Sequence, residues 1–479
     1  MIHRATIAGI VWLGTLAALA SVAQGYLPVY GGPTYDAVTS TGYQGNWAEE
    51  VNNAGLAVGG AEKYVSGADV GNRAVRWSAS VPAVELDSLG VDGLGWSSGS
   101  ALGINATGMC VGYSGKFDVV HYVGQRPTRW DAGSTTPTEL GNLGTDSLGY
   151  TQGTAVDLNA SGTGVGGVTK CVNSQSRGFR AVRWDAGGTA ATELGNLGLD
   201  PTGQTEAYAY VINDTGTVAG YAVKHVGDTP LGERAVRWAA GTTTAIELDN
   251  LGTDGSGVTS SKAGGINSTG VIVGFATKYV GGTSLGARAV RWDAGGTAAT
   301  ELDVLGTDGS GASSSGAYKI NTSGAAVGYA RKFVGGVLMG DRAVRWDAGT
   351  TAATELGDLG TDGSGSTAAF AGAINDAGLA VGYANKYVGG VDQGQHATCW
   401  GLDNVAVDLN DLIDPASGWV LRNAGAVSDT GWIAGWGEFD PDGTGDANAY
   451  NRLFLIQIPE PATLTLLALA GLAALARRR

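Results

Sequence analysis

Residues able to do chemistry are few and scattered in this 479-residue chain. Beyond the first few residues the histidines are His121, His225 and His396, far apart in sequence. A catalytic or metal centre would need such groups gathered at fixed spacing, and no HExxH, GxSxG or Walker-type phosphate loop occurs. The run Gly162-Thr163-Gly164-Val165-Gly166-Gly167 has the letters of a glycine-rich loop but precedes no helix, so no helix N-terminus stands ready for a phosphate. Cys110, Cys171 and Cys399 form no CxxC pair. They read as small buried hydrophobes, with at most one bridge among them. One acidic stretch stands out, Asp440-Pro441-Asp442-Gly443-Thr444-Gly445-Asp446. Carboxylates at Asp440, Asp442 and Asp446 with a glycine in the sixth place are the donor chemistry of a calcium loop. The twelfth place is Asn451 where a bidentate glutamate would sit, so an acidic turn is the competing and preferred reading. Asp254, Asp308 and Asp362, each in a Thr-Asp-Gly-Ser-Gly loop, read as single-carboxylate polar turns. No catalytic residue and no cofactor site is assigned, and the expectation is a protein that is not an enzyme.

What must position these groups is a repeat. Trp77, Trp130, Trp184, Trp238, Trp292, Trp346 and Trp400 follow one another at steps of 53 and then five times 54 residues. A fixed period over that many copies means one supersecondary unit stacked on itself. The copy over 207–252 shows its four pieces: AYAYVINDTG from Ala207, TVAGYAVKHVG from Thr217, ERAVRWAAG from Glu233 and TAIELDNLG from Thr244. Short alternating runs broken by Gly, Asn and Asp predict strands and hence an all-β array.

Three kinds of recurring residue invite a functional reading. An asparagine precedes a glycine by three positions in each copy, as in Asn159/Gly162 and Asn213/Gly216, with a degenerate eighth at Val427 to Gly431. Asparagine closes turns on its own backbone and glycine supplies the positive φ, so turn formation is preferred over ligand binding. Arg183 and Glu193 stand ten apart, as do Arg129/Glu139, Arg237/Glu247, Arg291/Glu301 and Arg345/Glu355. A hairpin centred on the intervening glycine is expected to set them opposite each other as cross-strand ion pairs. In the seventh copy Cys399 and Asp408 replace both members. The tryptophans share a strand face with Val182 and its equivalents and read as core wedged between sheets, ahead of a sugar-stacking platform.

Four strands in a period near 54 match a β-propeller, whose sheets pack radially and close into a ring. The asparagine turn occurs eight times, and Phe454 takes the tryptophan's place in the eighth unit. The Glu-Leu strand occurs only seven times, ending with Val407-Asp408-Leu409. The eighth unit therefore lacks a fourth strand, which the segment Tyr26 to Thr39 is expected to supply. Eight blades are predicted, with seven blades or an open solenoid as alternatives.

The net charge is −15, and the end segments carry Arg4, Arg477, Arg478 and Arg479, so the body is more acidic still. That argues against nucleic acid and anionic membrane surfaces as partners. Residues 1–25 read as a secretory signal: His3 and Arg4, an apolar run from Ile7 to Ala20, then Ser21-Val22-Ala23. At the other end Pro459-Glu460-Pro461 is followed by an apolar run, Ala462 to Ala476, and by Arg477-Arg478-Arg479. A short transmembrane helix held by cytoplasmic arginines suits a transient inner-membrane anchor.

The order of these three tail parts resembles the PEP-CTERM sorting signal of Gram-negative bacteria with exopolysaccharide matrices. The resemblance implies recognition by an exosortase, cleavage near Pro459-Glu460-Pro461, and release to the cell surface or matrix. Such tails also carry the label of an ice-binding-protein C-terminal domain, which describes the tail and no ice chemistry. Over 48–455, Ile212-Asn213-Asp214-Thr215-Gly216 with Gly220-Tyr221, then Arg234 to Trp238 and Glu247 to Gly252, is similar to the HAF-type repeats of bacterial extracellular proteins. Arg-Ala-Val stands at the His-Ala-Phe step in most copies and His396-Ala397-Thr398 in the seventh. That likeness implies secretion and a propeller-like fold. The domains expected are 1–25 as signal, 26–458 as propeller and 459–479 as sorting signal. The function expected is a structural or binding role at the surface or in the matrix; the alternatives are a carbohydrate-binding propeller using calcium, and a polysaccharide-active enzyme. An exosortase and exopolysaccharide are the expected partners.

Overall fold

The computed structural model describes residues 26–36, 39–119, 121–443 and 449–458. Residues 1–25, expected as a secretory signal, and 459–479 lie outside them. Eight antiparallel sheets succeed one another along the chain. Blade 4 shows the pattern: strands Ala207–Ile212, Val218–Val226, Thr229–Trp238 and Ala245–Glu247, hydrogen-bonded in that order. The eighth sheet takes Trp419–Val427, Trp432–Phe439 and Tyr450–Gln457 from the end of the chain and Tyr30–Gly31 from its start. Tyr30 pairs with Leu455 and Gly31 with Phe454, antiparallel. The expected closure by the N-terminal segment is thus what the chain does, and the ring has eight blades. Blade 1 carries an extra edge strand, Tyr35–Asp36.

The core lies between blades. Each apolar cluster joins one sheet to the next, as Val165, Ala181 and Leu194 of blade 3 join Ala207, Ala209, Val236 and Trp238 of blade 4. Val75 and Trp77 of blade 1 pack on Ala434, Leu453 and Leu455 of blade 8, which seals the ring. The seven repeat tryptophans are at most 1% exposed, so they are core and no sugar platform. Their indole N–H groups also link blades: Trp184 donates to the Gly141 carbonyl (2.9 Å) and Trp238 to that of Gly195 (2.9 Å). Trp77 faces the blade whose outer strand is the short N-terminal piece, and its indole nitrogen has no hydrogen-bond partner among the described residues.

The asparagines do close turns, and they do more. Asn213 Oδ1 accepts from the Thr217 amide (2.9 Å), while its Nδ2 donates to the Asn267 carbonyl one blade on (3.0 Å). The same step joins Asn159 to Asn213 and Asn267 to Asn321, so one residue type ties both the turn and the ring.

The expected Arg183–Glu193 pair is not formed. Arg183 lies opposite Thr192, and Glu193 lies opposite Val182. A one-residue offset sends neighbouring side chains to opposite faces. Glu193 pairs instead with Arg180 (3.3 Å) and Lys170 (2.6 Å), and Arg183 turns to Asp185 (2.8 Å). The same Lys–Glu–Arg arrangement recurs at Lys224–Glu247–Arg234 and Lys278–Glu301–Arg288. The paired change in the seventh copy is therefore His396 with Asp408 (2.7 Å), and Cys399, which faces Val407, has no part in it. Burial pushes the Asp408 carboxyl up, but hydrogen bonds from His396, Lys386 and Asn410 outweigh this and hold it below the usual carboxylate range. All three cysteines are free.

Candidate functional site

The innermost strand of each blade is the one that packs on its counterparts in both neighbouring blades, so these strands surround the central channel. Each is interrupted by a bulge. In blade 4 Ala209 pairs with Gly220 and Val211 with Ala219, which leaves Tyr210 unpaired. A bulged residue re-aims its side chain. Opposite the bulge sits a glycine with a strict requirement. A Cβ on Gly220 would stand 2.0 Å from the Tyr208 carbonyl oxygen, and one on Gly274 would stand 2.0 Å from that of Lys262. This is the glycine of the recurring Gly-Tyr or Gly-Phe pair.

The residue after each glycine builds the mouth of the channel. It is Tyr113, Tyr221, Phe275, Tyr329, Tyr383 and Trp436 in six blades, and Gly60 and Gly167 in the other two. The two glycines are not gaps. A Cβ on Gly60 would lie 2.4 Å from the Trp47 ring, and one on Gly167 would lie 2.5 Å from the Tyr208 ring of the next blade. An aromatic ring therefore covers this level all the way round. Blade-specific rings thicken it into two arcs. In one, Tyr208 stands 5.2 Å from Tyr210, which stands 5.6 Å from Tyr221. In the other, Phe370 stands 5.2 Å from Tyr318 and 6.0 Å from Tyr383. Lys262 lies 4.3 Å over the Tyr221 ring and pairs with Glu233 (2.8 Å). The Tyr221 hydroxyl donates to Glu206; burial and that carboxylate hold its proton on. Burial pushes the Tyr208 hydroxyl up to about 12.

One step deeper lies a charged set. Two residues before the turn asparagine stand Glu50, Asp157 and Lys319, where the other blades have Gly103, Val211, Gly265, Ala373 and Ala426. Blades 1, 3 and 6 share no edge, and their innermost strands all line the channel, so the three stand around it. Glu50, Asp157 and the bulge residue of blade 1, Glu49, all feel the Lys319 charge. Glu50 accepts from the Ile104 amide (2.8 Å), and Asp157 from those of Leu158 (2.8 Å) and Ile212 (2.8 Å). Burial pushes the Glu50 carboxyl up to about 7, and the Asp157 charge adds to this, against Lys319 and the Ile104 amide. Burial likewise raises Asp157. Lys319 is exposed to the channel and has no ion pair among the described residues. None of these residues was singled out in sequence. The signal was present as charge at one position of an otherwise small and apolar column.

A second departure from the repeat lies on the rim of blade 2. Trp96 stands 6.2 Å from Phe117 and 6.1 Å from Tyr122, which stands 6.4 Å from Tyr150. Leu94, Val119 and Leu148 are exposed beside them.

The sequence-identified acidic loop is only partly described. Asp440 Oδ1 accepts from the Gly443 amide (3.0 Å), as a turn-closing aspartate does, and Asp446 lies outside the described residues. Among the described residues no group of three or more His, Cys, Asp or Glu side chains is placed to hold a metal ion. Asp254 closes its loop as expected, accepting from the Ser256 (2.8 Å) and Val258 (2.9 Å) amides; these bonds hold its carboxyl below the usual range. Pro459, Glu460, Pro461, Arg477, Arg478 and Arg479 also lie outside the described residues, as does the apolar run before the arginines. Among the described residues no helix is long and apolar enough to cross a membrane. The place where the chain leaves the ring is defined. The Ile458 amide donates to the carbonyl of Gly431, in an asparagine-type turn (2.9 Å). The chain thus leaves on the asparagine face, opposite the aromatic mouth.

Residues 457–479 match the PEP-CTERM protein-sorting motif. Residues 178–334 and 240–458 match a family described as protein of unknown function, DUF3466. No curated protein matches the chain. Among solved structures, it resembles a prolyl endopeptidase at 11% identity and a TM-score of 0.44, over 95% of this chain and 58% of that one. It also resembles the β-propeller domain of the Trilobed protease from Pyrococcus furiosus (10%, 0.41, over 77% and 97%). A gluconolactonase from Xanthomonas campestris is similar at 8% and 0.29, over 91% and 99%. Likeness this remote bears on no chemistry.

Proposed function

From the premise that this chain belongs to the DUF3466 family and ends in a PEP-CTERM sorting motif, we propose that it is an exosortase-sorted protein of the cell surface or exopolysaccharide matrix that binds polysaccharide without cleaving it. The observation that carries this reading is the aromatic mouth. Tyrosine, phenylalanine and tryptophan rings surround one end of the channel, with arcs at Tyr208–Tyr210, backed by the buried Tyr221, and at Tyr318–Phe370–Tyr383. Rigid rings with a polar edge offer apolar area to the C–H faces of sugars at little entropic cost. The neighbouring Glu206, Glu233 and Lys262 offer hydrogen-bonding groups to hydroxyls. Two features support binding over catalysis. The channel carboxylates hold backbone amides of Ile104, Leu158 and Ile212. The acidic loop at Asp440 closes its own turn. The exit of the chain at Ile458, on the far face, supports a mouth that stays open while the tail is held.

All strands of the ring fall within 26–458, so that segment is the unit to purify. It is titrated with the exopolysaccharide of the producing cell, with calcium and with EDTA, while binding and new reducing ends are both measured. Saturable binding without new ends, lost in Tyr210→Ala/Tyr318→Ala, is the expected result. Loss of binding in EDTA alone would move the site to the loop of Asp440, Asp442 and Asp446. Release of new chain ends would establish an enzyme, and no binding in either condition would remove the polysaccharide reading.

A further inference from the structure

Resting on that reading, we infer that the propeller takes the end of a polysaccharide chain into its channel and does not bind along the middle of the chain. The argument is the order of chemistry down the axis. A ligand arriving at the mouth meets rings first, at the level of the half-buried Tyr113, Phe275, Tyr329 and Tyr383. It then meets the bulge residues Tyr210 and Tyr318, and one residue deeper it meets Glu50, Asp157 and Lys319. Stacking surfaces suit the flat faces of successive sugars. The deeper level suits the end of the chain, whose additional hydroxyls donate to the carboxylates and accept from the ammonium. The placement of charge fits such a ligand. Lys319 comes from blade 6, across the ring from blade 2, which lies between the blades of Glu50 and Asp157. The Lys319 ammonium forms no ion pair with Glu49, Glu50 or Asp157 among the described residues, though all three feel its charge, so hydrogen-bond donors and acceptors face the channel from different blades, where a polyhydroxylated group can use both. Glu50 and Asp157 retain lone pairs beyond those used by the backbone amides. The way in is open at blade 5, whose bulge residue is Gly264 where blades 4 and 6 have tyrosines; at Gly372 of blade 7 the Phe370 ring stands 3.3 Å from where a Cβ would be.

The test separates this mode from the reading beneath it. The exopolysaccharide of the producing cell is used intact and after sonication into shorter chains, and the amount of protein bound at saturation is measured per gram of polymer. End binding predicts capacity rising in proportion to the number of chain ends. Capacity that follows mass alone, with ends multiplied, overturns end binding and leaves the mouth reading standing. Absence of binding to both forms overturns both. A second measurement blocks the channel and spares the rings. A Cβ on Gly264 meets nothing closer than 3.6 Å, so Gly264→Trp can place a large group toward the axis. End binding predicts at least a tenfold loss of affinity in Gly264→Trp and in Lys319→Gln, with unchanged far-ultraviolet circular dichroism and a melting temperature within a few degrees of the parent. Affinity within twofold of the parent in the folded Gly264→Trp protein refutes the inference.

Discussion

Arg180 is the arginine whose loss should loosen the ring, and its neighbour Arg183 is the control. The Arg180 side chain is 2% exposed. One terminal nitrogen donates to the carbonyls of Arg177 (2.5 Å) and Thr205 (2.5 Å), the other to that of Gly203 (3.0 Å). Thr205 and Gly203 belong to the loop that carries the chain into blade 4, so the guanidinium clamps one blade to the approach of the next. Arg180→Met keeps much of the apolar bulk and strands the Thr205 and Gly203 carbonyls, while the Arg177 carbonyl keeps the Thr205 amide (3.3 Å). Glu193 keeps Lys170 at 2.6 Å, so its charge is not orphaned. At about 1–2 kcal/mol for each of the two unsatisfied acceptors, the loss is about 2–4 kcal/mol. Arg183 pairs with Asp185, whose side chain is 68% exposed, and Arg183→Met should cost no more than about 1 kcal/mol. Native-state hydrogen exchange reads the difference where it should appear, in the amides of 198–206, with urea unfolding as the global measure. Equal costs for the two substitutions would refute both the strand register and the clamp.

Gly274→Ala should cost about 1–3 kcal/mol, since its Cβ meets the Lys262 backbone 2.0 Å away, whereas Gly255→Ala, with nothing within 4 Å, should leave the melting temperature within a degree or two. Asn267→Ala loses bonds to the Val271 amide (3.0 Å) and to the Asn321 carbonyl (3.2 Å) and should cost about 2–3 kcal/mol; Asn267→Asp keeps the first and should cost less, and thermal unfolding that ranks them the other way would discount the blade-to-blade bond. Glu50 binds its proton more tightly folded, up to about 7, than unfolded, at about 4.3. The folded state therefore holds more protons between those values, and stability should fall as pH rises from about 4 to 7 and then level off. Glu50→Gln should flatten that part of the pH profile of the melting temperature, and an unchanged profile would place the effect elsewhere.

The period of Trp77 to Trp400 was enough to establish a stacked array of all-β units, because a side chain that large, at a fixed step, needs the same pocket each time. The missing fourth strand of the last unit was also legible, and with it the closure by Tyr30–Gly31. The sorting motif announces itself by composition and order. The Arg–Glu pairing was misread because a ten-residue spacing leaves the register of a short hairpin open by one position, and one position decides the face. The pairs Val182–Glu193 and Arg183–Thr192 come from how the hairpin packs, and no local signal in the sequence states them.

The channel was hidden for a different reason. Glu50, Asp157 and Lys319 lie more than a hundred residues apart, and each alone is an unremarked polar residue near a turn. Only closure of the ring brings blades 1, 3 and 6 to a common axis, where burial and mutual charge change what those groups are. The aromatic mouth is intermediate. The Gly-Tyr pair repeats visibly, but that Tyr208 covers Gly167 across a blade boundary is a fact of packing. Sequence by itself determined what recurs, since local turn chemistry and strand alternation are written residue by residue. The tertiary structure alone decided what converges, since the distance across the channel depends on eight blade-to-blade contacts at once.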